Sequence, residues 1–325
     1  MTAVNPGQIP FSGKAPYIAV IGGVNVDIGG RSAAELVPGD SNPGFVSASV
    51  GGVGWNIAHN LCLLGADVKL LSAWGNDVNG RLVSDTCKAA GMDLSRALIT
   101  PEKPTSVYLY IADPRGDMAL AVSDMAVTEL VTPAYLEGNL DLLRGAAAVV
   151  ADTNIPAETL KYLAENCTSP LFCDPVSTAK AGKLRGILRR VHTLKPNRLE
   201  AELLTGIPVH TKEDALAAGR CLIRQGAGRA FISLGAEGVC AVSAEEEALL
   251  PCVPGTPVST TGCGDAFMAA LVWGFLQGLS LRETALAGLS AASLTAESAA
   301  TVHPAMSAEK LRARMQNAKR EPSDS

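Results

Sequence analysis

Basic residues are in short supply: 27 Lys and Arg stand against 32 Asp and Glu, for a net charge of −5 at pH 7. Without a Lys/Arg excess, and with no basic stripe interleaved with aromatics, the chain lacks the electrostatic footprint of a nucleic-acid or acidic-membrane partner. Met1 to Ala15 has neither a charged n-region nor an apolar h-region, so it reads as the flexible tail of a cytoplasmic protein rather than a signal or membrane segment. No C-x-x-C pair occurs among the 8 cysteines, which removes the usual metal and redox spacing. Cys62 and Cys240 sit in apolar runs, and reduced, mostly buried thiols are expected. Internal repeats and an independent second core are also missing. Apolar mass is plentiful: 47% of 325 residues is hydrophobic, ample for one large α/β domain.

Tyr17-Ile18-Ala19-Val20-Ile21 is a short apolar run stopped by Gly22-Gly23, the pattern of a buried strand that ends at a turn over the sheet edge. Runs at 68–73, 146–151, 170–174, 191–194 and 230–234 repeat it, with helical patterns at about 78–90, 157–166 and 213–225 between them. This rhythm predicts a mostly parallel twisted sheet flanked by helices. Residues 31–50 break it, being rich in Pro, Gly and Ser, with a weak strand at Phe45–Val50. A hairpin turning at Asp113-Pro114-Arg115-Gly116 breaks it again. These stretches, about 28–50 and 102–124, predict a small β-sheet lid on a single domain spanning 16–318. The last helices are expected at Thr284–Ala299 and Ser307–Asn317, with Lys319–Ser325 as a charged, disordered tail.

Chemistry concentrates in Thr260-Thr261-Gly262-Cys263-Gly264-Asp265, which opens the apolar helical run Met268–Leu276. The N–H groups of Gly262, Cys263 and Gly264 then lie unpaired at a helix N-terminus, where anions are favoured. Glycine lets backbone approach a phosphate, and Asp265 just inside can take a proton from an attacking hydroxyl. A plain cap ahead of a core helix explains the same residues without function. The helix end is also expected to lower the thiol pKa of Cys263.

Asn25 and Asp27 share one face if extended, where they either hold sugar hydroxyls or serve as turn residues. Gly51-Gly52-Val53-Gly54-Trp55-Asn56 precedes a helical pattern closed at Gly65. It is not a dinucleotide fingerprint, because Ile57 replaces the third glycine and no acidic residue ends a following strand at the expected distance. The glycines instead bring backbone close to a small substrate, with Asn56 pointing into the site. Asp124, at the hairpin exit, faces the substrate, forms a hinge or is a turn residue. Asn154, Asp174 and Lys195 end strands and so lie on the rim where α/β sheets bind ligands. Asn197 and Glu200 have capping-box spacing; the alternative is that Glu200 orders water around a nucleotide-bound Mg²⁺. Gly235-Ala236-Glu237-Gly238 covers a nucleotide or closes a hairpin.

In this order the motifs resemble the ribokinase-like (PfkB) carbohydrate kinases from Tyr17 to about Asn317. Gly22–Asp27 looks like that family's sugar-hydroxyl strand, Gly51–Asn56 like its glycine pair, Lys195–Glu200 like its N-x-x-E motif, and Thr260–Asp265 like its anion hole and base. Asp40–Gly44, Ser123–Met125, Asp174–Ser177 and His192–Glu202 are similar to members acting on pseudouridine. The resemblance implies a ribokinase-like fold, ATP and Mg²⁺ as co-substrates, the 5′-hydroxyl of pseudouridine as acceptor, and a homodimer through the lid. It implies Asp265 as general base with the Gly262, Cys263 and Gly264 amides stabilising charge. Asn25, Asp27, Gly51, Gly52, Asn56, Asp124 and Asn154 then bind the acceptor. Lys195, Asn197, Gly235, Gly238 and Thr260 bind the nucleotide, and Glu200 serves the metal. Ribose, adenosine or a keto-deoxy sugar acid are the alternative acceptors, and a nucleoside-binding regulator without turnover is the alternative class.

Three positions depart from the family. Trp55 replaces a basic or small residue and is expected to alter the pocket. Cys263 replaces an alanine of the anion hole. Ser259 takes the place of an aspartate associated with a monovalent cation, which leaves that cation an open question.

Overall fold

The computed structural model describes residues 16–320. The expected tail at 1–15, and residues 321–325, lie outside the described residues. The strands are β1 (Tyr17–Ile21), β2 (Asn25–Ser32), β3 (Gly44–Gly51), β4 (Asp67–Leu71), β5 (Ala73–Gly75), β6 (Leu98–Thr100), β7 (Val107–Ala112), β8 (Met118–Asp124), β9 (Ala148–Asp152), β10 (Leu171–Asp174), β11 (Val191–Leu194), β12 (Arg229–Ser233), β13 (Val239–Ser243) and β14 (Glu247–Leu250). The helices are α1 (Val53–Leu63), α2 (Val78–Ala89), α3 (Pro133–Glu137), α4 (Leu140–Gly145), α5 (Ala157–Asn166), α6 (Thr178–Ala181), α7 (Arg198–Thr205), α8 (Lys212–Arg224), α9 (Cys263–Leu276), α10 (Leu281–Ala296) and α11 (Ala308–Arg320).

The main sheet runs in the order β14-β13-β12-β11-β10-β9-β1-β4. It is parallel from β4 to β12, and β13 and β14 add an antiparallel edge. Along β1, Ile18 and Val20 join the core under α1, α9 and α10, whereas Ala19 and Ile21 join the core on the α5 and α8 side. Burial on both faces is why these strands read as unbroken apolar runs. The neighbours of β1 are β4 on one side and β9 on the other, so the strand order reverses there. In an open parallel sheet, the crevice beyond the carboxyl ends at such a reversal is where ligands bind.

A second, four-stranded sheet, β3-β2-β7-β8, forms the lid. It starts at Asn25 rather than near 28, so β2, the strand that carries Asn25 and Asp27, is itself a lid strand. α10 begins at Leu281, earlier than expected, because Ser280 and Glu283 close a capping box. α11 runs through Arg320, two residues into the stretch read as tail, and Lys319 pairs with Glu283 at 3.1 Å. Among the described residues, no helix is long and apolar enough to cross a membrane.

Candidate active site

The crevice is built from the loops after β1 and β9. Gly23 N–H donates to Asp152 Oδ2 and Asn154 N–H to Asp152 Oδ1, each at 2.8 Å. Burial raises the Asp152 pKa to about 6, with these backbone bonds opposing the rise. Asp152 therefore clasps the two loops together. The sequence reading passed over it, although a carboxylate closing an apolar strand was the visible signal.

β2 carries Asn25 and Asp27 on one face, as their spacing predicts, and Asn25 Nδ2 donates to Asp27 Oδ1 at 2.6 Å. Burial raises the Asp27 pKa while this bond opposes it. Gly51 lies opposite Asn25 in the ladder, and a Cβ there would overlap the Asp27 carboxylate. Gly52, at φ 98°, is the N-cap of α1, and its carbonyl receives the Asn56 N–H at 2.9 Å. Asn56 Nδ2 in turn donates to Asp265 Oδ2 at 2.7 Å, and Thr301 Oγ1 lies 3.4 Å from Asn56 Oδ1. The amide that the motif suggested for a substrate thus also holds the carboxylate.

Helix α9 is apolar all round, with Ala266 to Gly274 buried between α1 and α10, so its first turn is rigidly placed. Its N-cap, Gly262 at φ 82°, makes no side-chain cap bond. Cys263 N–H turns to the Thr260 carbonyl at 3.3 Å, so the expected donor set changes. Among the described residues the N–H groups of Gly262, Gly264 and Asp265 have no protein partner. Lys195 is buried beside them: its Nζ would sit 3.2 Å from a Cβ on Gly264 and is 3.1 Å from Asp174 Oδ2. Burial alone would lower the Lys195 pKa, but Asp174, Asp265 and Glu200 together hold it above the usual lysine value. Asp265 is pushed up to about 7, first by burial and then by Asp174, against the pull of Asn56 and Lys195.

Two expectations fail here. The Cys263 thiol pKa is raised, not lowered, because burial and then the Asp265 carboxylate outweigh the helix end. Trp55 does not reach the pocket; at 4% exposure it belongs to the core, its ring 4.7 Å from His59.

Asn197 caps α7, with Asn197 Oδ1 receiving the Glu200 N–H at 2.9 Å and Glu200 Oε2 receiving the Asn197 N–H at 2.8 Å. The second Glu200 oxygen has no partner among the described residues, and burial raises the pKa of the group. No cluster of three or more His, Cys, Asp or Glu suited to a metal occurs among the described residues. Gly235 to Gly238 closes the β12–β13 hairpin: Gly238 has φ 100° and no room for a Cβ beside Leu250, whereas Gly235 faces open space. Asp124 Oδ1 receives the Ala126 N–H at 3.2 Å at the lid exit, and Thr260 is exposed. Asn154 Oδ1 is bound by Lys180, a residue the sequence reading did not single out.

A lysine and free backbone donors at one helix end, beside a carboxylate whose pKa is raised to about 7, are the groups that phosphoryl transfer to an alcohol requires, here brought together on an α/β scaffold. The chain belongs to the pfkB family of carbohydrate kinases, whose family profile matches residues 15–308. It is a phosphotransferase with an alcohol group as acceptor, a nucleoside or sugar kinase. It is 39% identical to the uncharacterized sugar kinase YeiI of Escherichia coli over 95% of this chain and 87% of that protein. It is 38% identical to the pseudouridine kinase of E. coli over 82% of this chain and 86% of that protein. In fold it matches Arabidopsis thaliana ribokinase, solved with ribose and ATP, at a TM-score of 0.82 and 22% identity, covering 93% of this chain and 99% of that one.

Proposed function

We propose that this kinase transfers the γ-phosphoryl group of ATP to the 5′-hydroxyl of pseudouridine. The observation that carries the reading is Asp265, a carboxylate with a pKa of about 7 held by Asn56 beside the open N-terminus of α9. A base of that strength is matched to accepting a proton near neutral pH. As the acceptor oxygen bonds to phosphorus and the bond to ADP breaks, Asp265 receives the hydroxyl proton. The N–H groups of Gly262, Gly264 and Asp265, with Lys195, bear the charge on the transferring group. Asn25 and Asp27 hold the ribose hydroxyls, and the backbone at Gly51 and Gly52 lies against the sugar.

The donors around Lys195 fit a nucleotide phosphate. Mg²⁺, when bound, would neutralise phosphate charge, and the unpartnered Glu200 oxygen is the protein group available to its water shell. Identity of 38% to a pseudouridine kinase supports the acceptor, and 39% identity to a sugar kinase keeps ribose as the second reading. A homodimer through the lid is supported by the outer lid face, where Val46, Leu109, Leu120 and Val122 are exposed together. The test is kcat/KM for pseudouridine, uridine, adenosine and ribose measured side by side with ATP. Pseudouridine should lead; a lead for ribose or adenosine would leave the chemistry in place and remove the acceptor.

A further inference from the structure

One cavity beside the ribose strand remains unexplained by the phosphoryl-transfer chemistry. It is a cleft open to solvent, of about 700 Å³, and Ser123, Asp124, Asn154 and Lys180 line it. Strand register ties it to the sugar strand: Asp27 is opposite Tyr108 and Tyr108 opposite Ser123, so these three side chains share one face of the lid. On the other side, a Cβ on Gly23 would lie 2.7 Å from Asn154 Nδ2, and the Gly23 carbonyl receives the Gly54 N–H at 3.0 Å. Contacts therefore run without a gap from Asp265 through Asn56, Gly52 and Gly23 to Asn154.

Lys180 Nζ donates to Asn154 Oδ1 at 2.6 Å. That bond occupies one lone pair of Asn154 Oδ1 and orients the amide so that its Nδ2 donors point away from Lys180, and it leaves Lys180 two further N–H donors. Lys183 is not free to compete, since its Nζ is bound at 2.8 Å to the carbonyls of Thr153 and Ile155. The loop that delivers Lys180 is strained. Val176, at φ 62°, is the one non-glycine residue with positive φ among the described residues, and Ser177 N–H donates across it to the Pro175 carbonyl at 2.6 Å. A β-branched residue in such a three-residue turn costs energy, and strain of this kind collects at functional sites. Val176 N–H binds Asp174 Oδ1 at 2.9 Å and Thr153 Oγ1 binds the Pro175 carbonyl at 2.6 Å, which fastens the turn over the ends of β9 and β10.

We infer that this cavity is the subsite for the nucleobase of the acceptor, in which Lys180 donates to a base carbonyl and fixes Asn154 as a second donor. The inference rests on the nucleoside acceptor proposed above. A uracil ring presents two carbonyl oxygens and ring N–H groups. Lys180 and Asn154 match the former, and the Ser123 hydroxyl and Asp124 carboxylate match the latter, including the additional N–H that distinguishes pseudouridine from uridine.

The experiment compares wild type with Lys180→Met, using pseudouridine and the baseless acceptor ribose, and reports the ratio of their kcat/KM values. Loss of a charged donor from the base subsite should lower that ratio by about 10- to 100-fold. An unchanged ratio, including equal losses on both acceptors, overturns the subsite. Should Lys180→Met not fold, acetylation of lysines in the wild-type protein, read by mass spectrometry, replaces it. Pseudouridine should protect Lys180 and ribose should not; equal labelling with either overturns the inference. Absence of wild-type turnover on pseudouridine refutes the acceptor assignment instead, so the two failures are distinguishable.

Discussion

Replacing Asp265 by Asn should move activity and stability in opposite directions. The substitution keeps the shape and can keep the bond from Asn56, but it removes the proton acceptor. Turnover should fall about 100- to 10,000-fold, the usual worth of a positioned general base. Stability follows from the carboxylate's position. Its pKa lies at about 7 in place of 3.8, so the fold disfavours the ionised form. A gap of that size corresponds to about 4 kcal/mol. Many protein atoms surround Asp265, yet solvent still reaches part of it. Water screens part of the penalty, leaving about 2 kcal/mol. A raised carboxylate pKa gives stability that is fully present below pH 3.8 and is lost as pH rises towards 7. The Asn variant has no such loss. Its melting temperature should match or trail wild type near pH 4 and exceed it by about 3–6 °C at pH 8. Thermal melts of both proteins across pH 4–8, with ADP release at each pH, make the measurement. The acid limb of wild-type kcat/KM should fall near pH 7 as Asp265 protonates, as an apparent value shared with neighbouring Asp152. Near-normal turnover in the variant, or a melting difference that does not grow with pH, would refute the assignment.

Glu200→Gln retains an oxygen for the Asn197 N–H, so its melting temperature should change by less than the roughly 1 kcal/mol of a lost cap, while the Mg²⁺ needed for half-maximal rate rises; a purely thermal defect would reduce Glu200 to a cap. Gly262→Ala combines φ 82° with a collision against the Thr301 carbonyl and should cost about 1–3 kcal/mol or more in urea unfolding. Gly264→Ala meets only the flexible end of Lys195 and should fold normally with a raised KM for ATP. Charging the outer lid face with Leu120→Lys and Val122→Lys should yield a monomer by sedimentation if the lid forms a dimer; a dimer that survives would place any interface elsewhere.

Much of this architecture was legible in the chain because local periodicity and end signals suffice for it. The unbroken apolar runs at β1 and β9 announce strands buried on both faces, and the Asn197–Glu200 spacing announces the capping box found at α7. The apolar run after Asp265 likewise announces a central helix whose N-terminus has no polar side chain to cap it. These features depend on residues within a few positions of one another. What required the tertiary structure depends on groups far apart in sequence. Asp152 clasps the loop after β1 from 129 positions away, and Asn56 reaches Asp265 across 209. The sign of the Cys263 shift turns on burial beside a carboxylate, which a helix-end rule does not contain. Trp55 was assigned to the pocket from its place in a motif, but the packing of α1 turns it into the core. Lys180 left no local signal because its partner, Asn154, meets it only where a strained turn folds the chain after β10 back over β9.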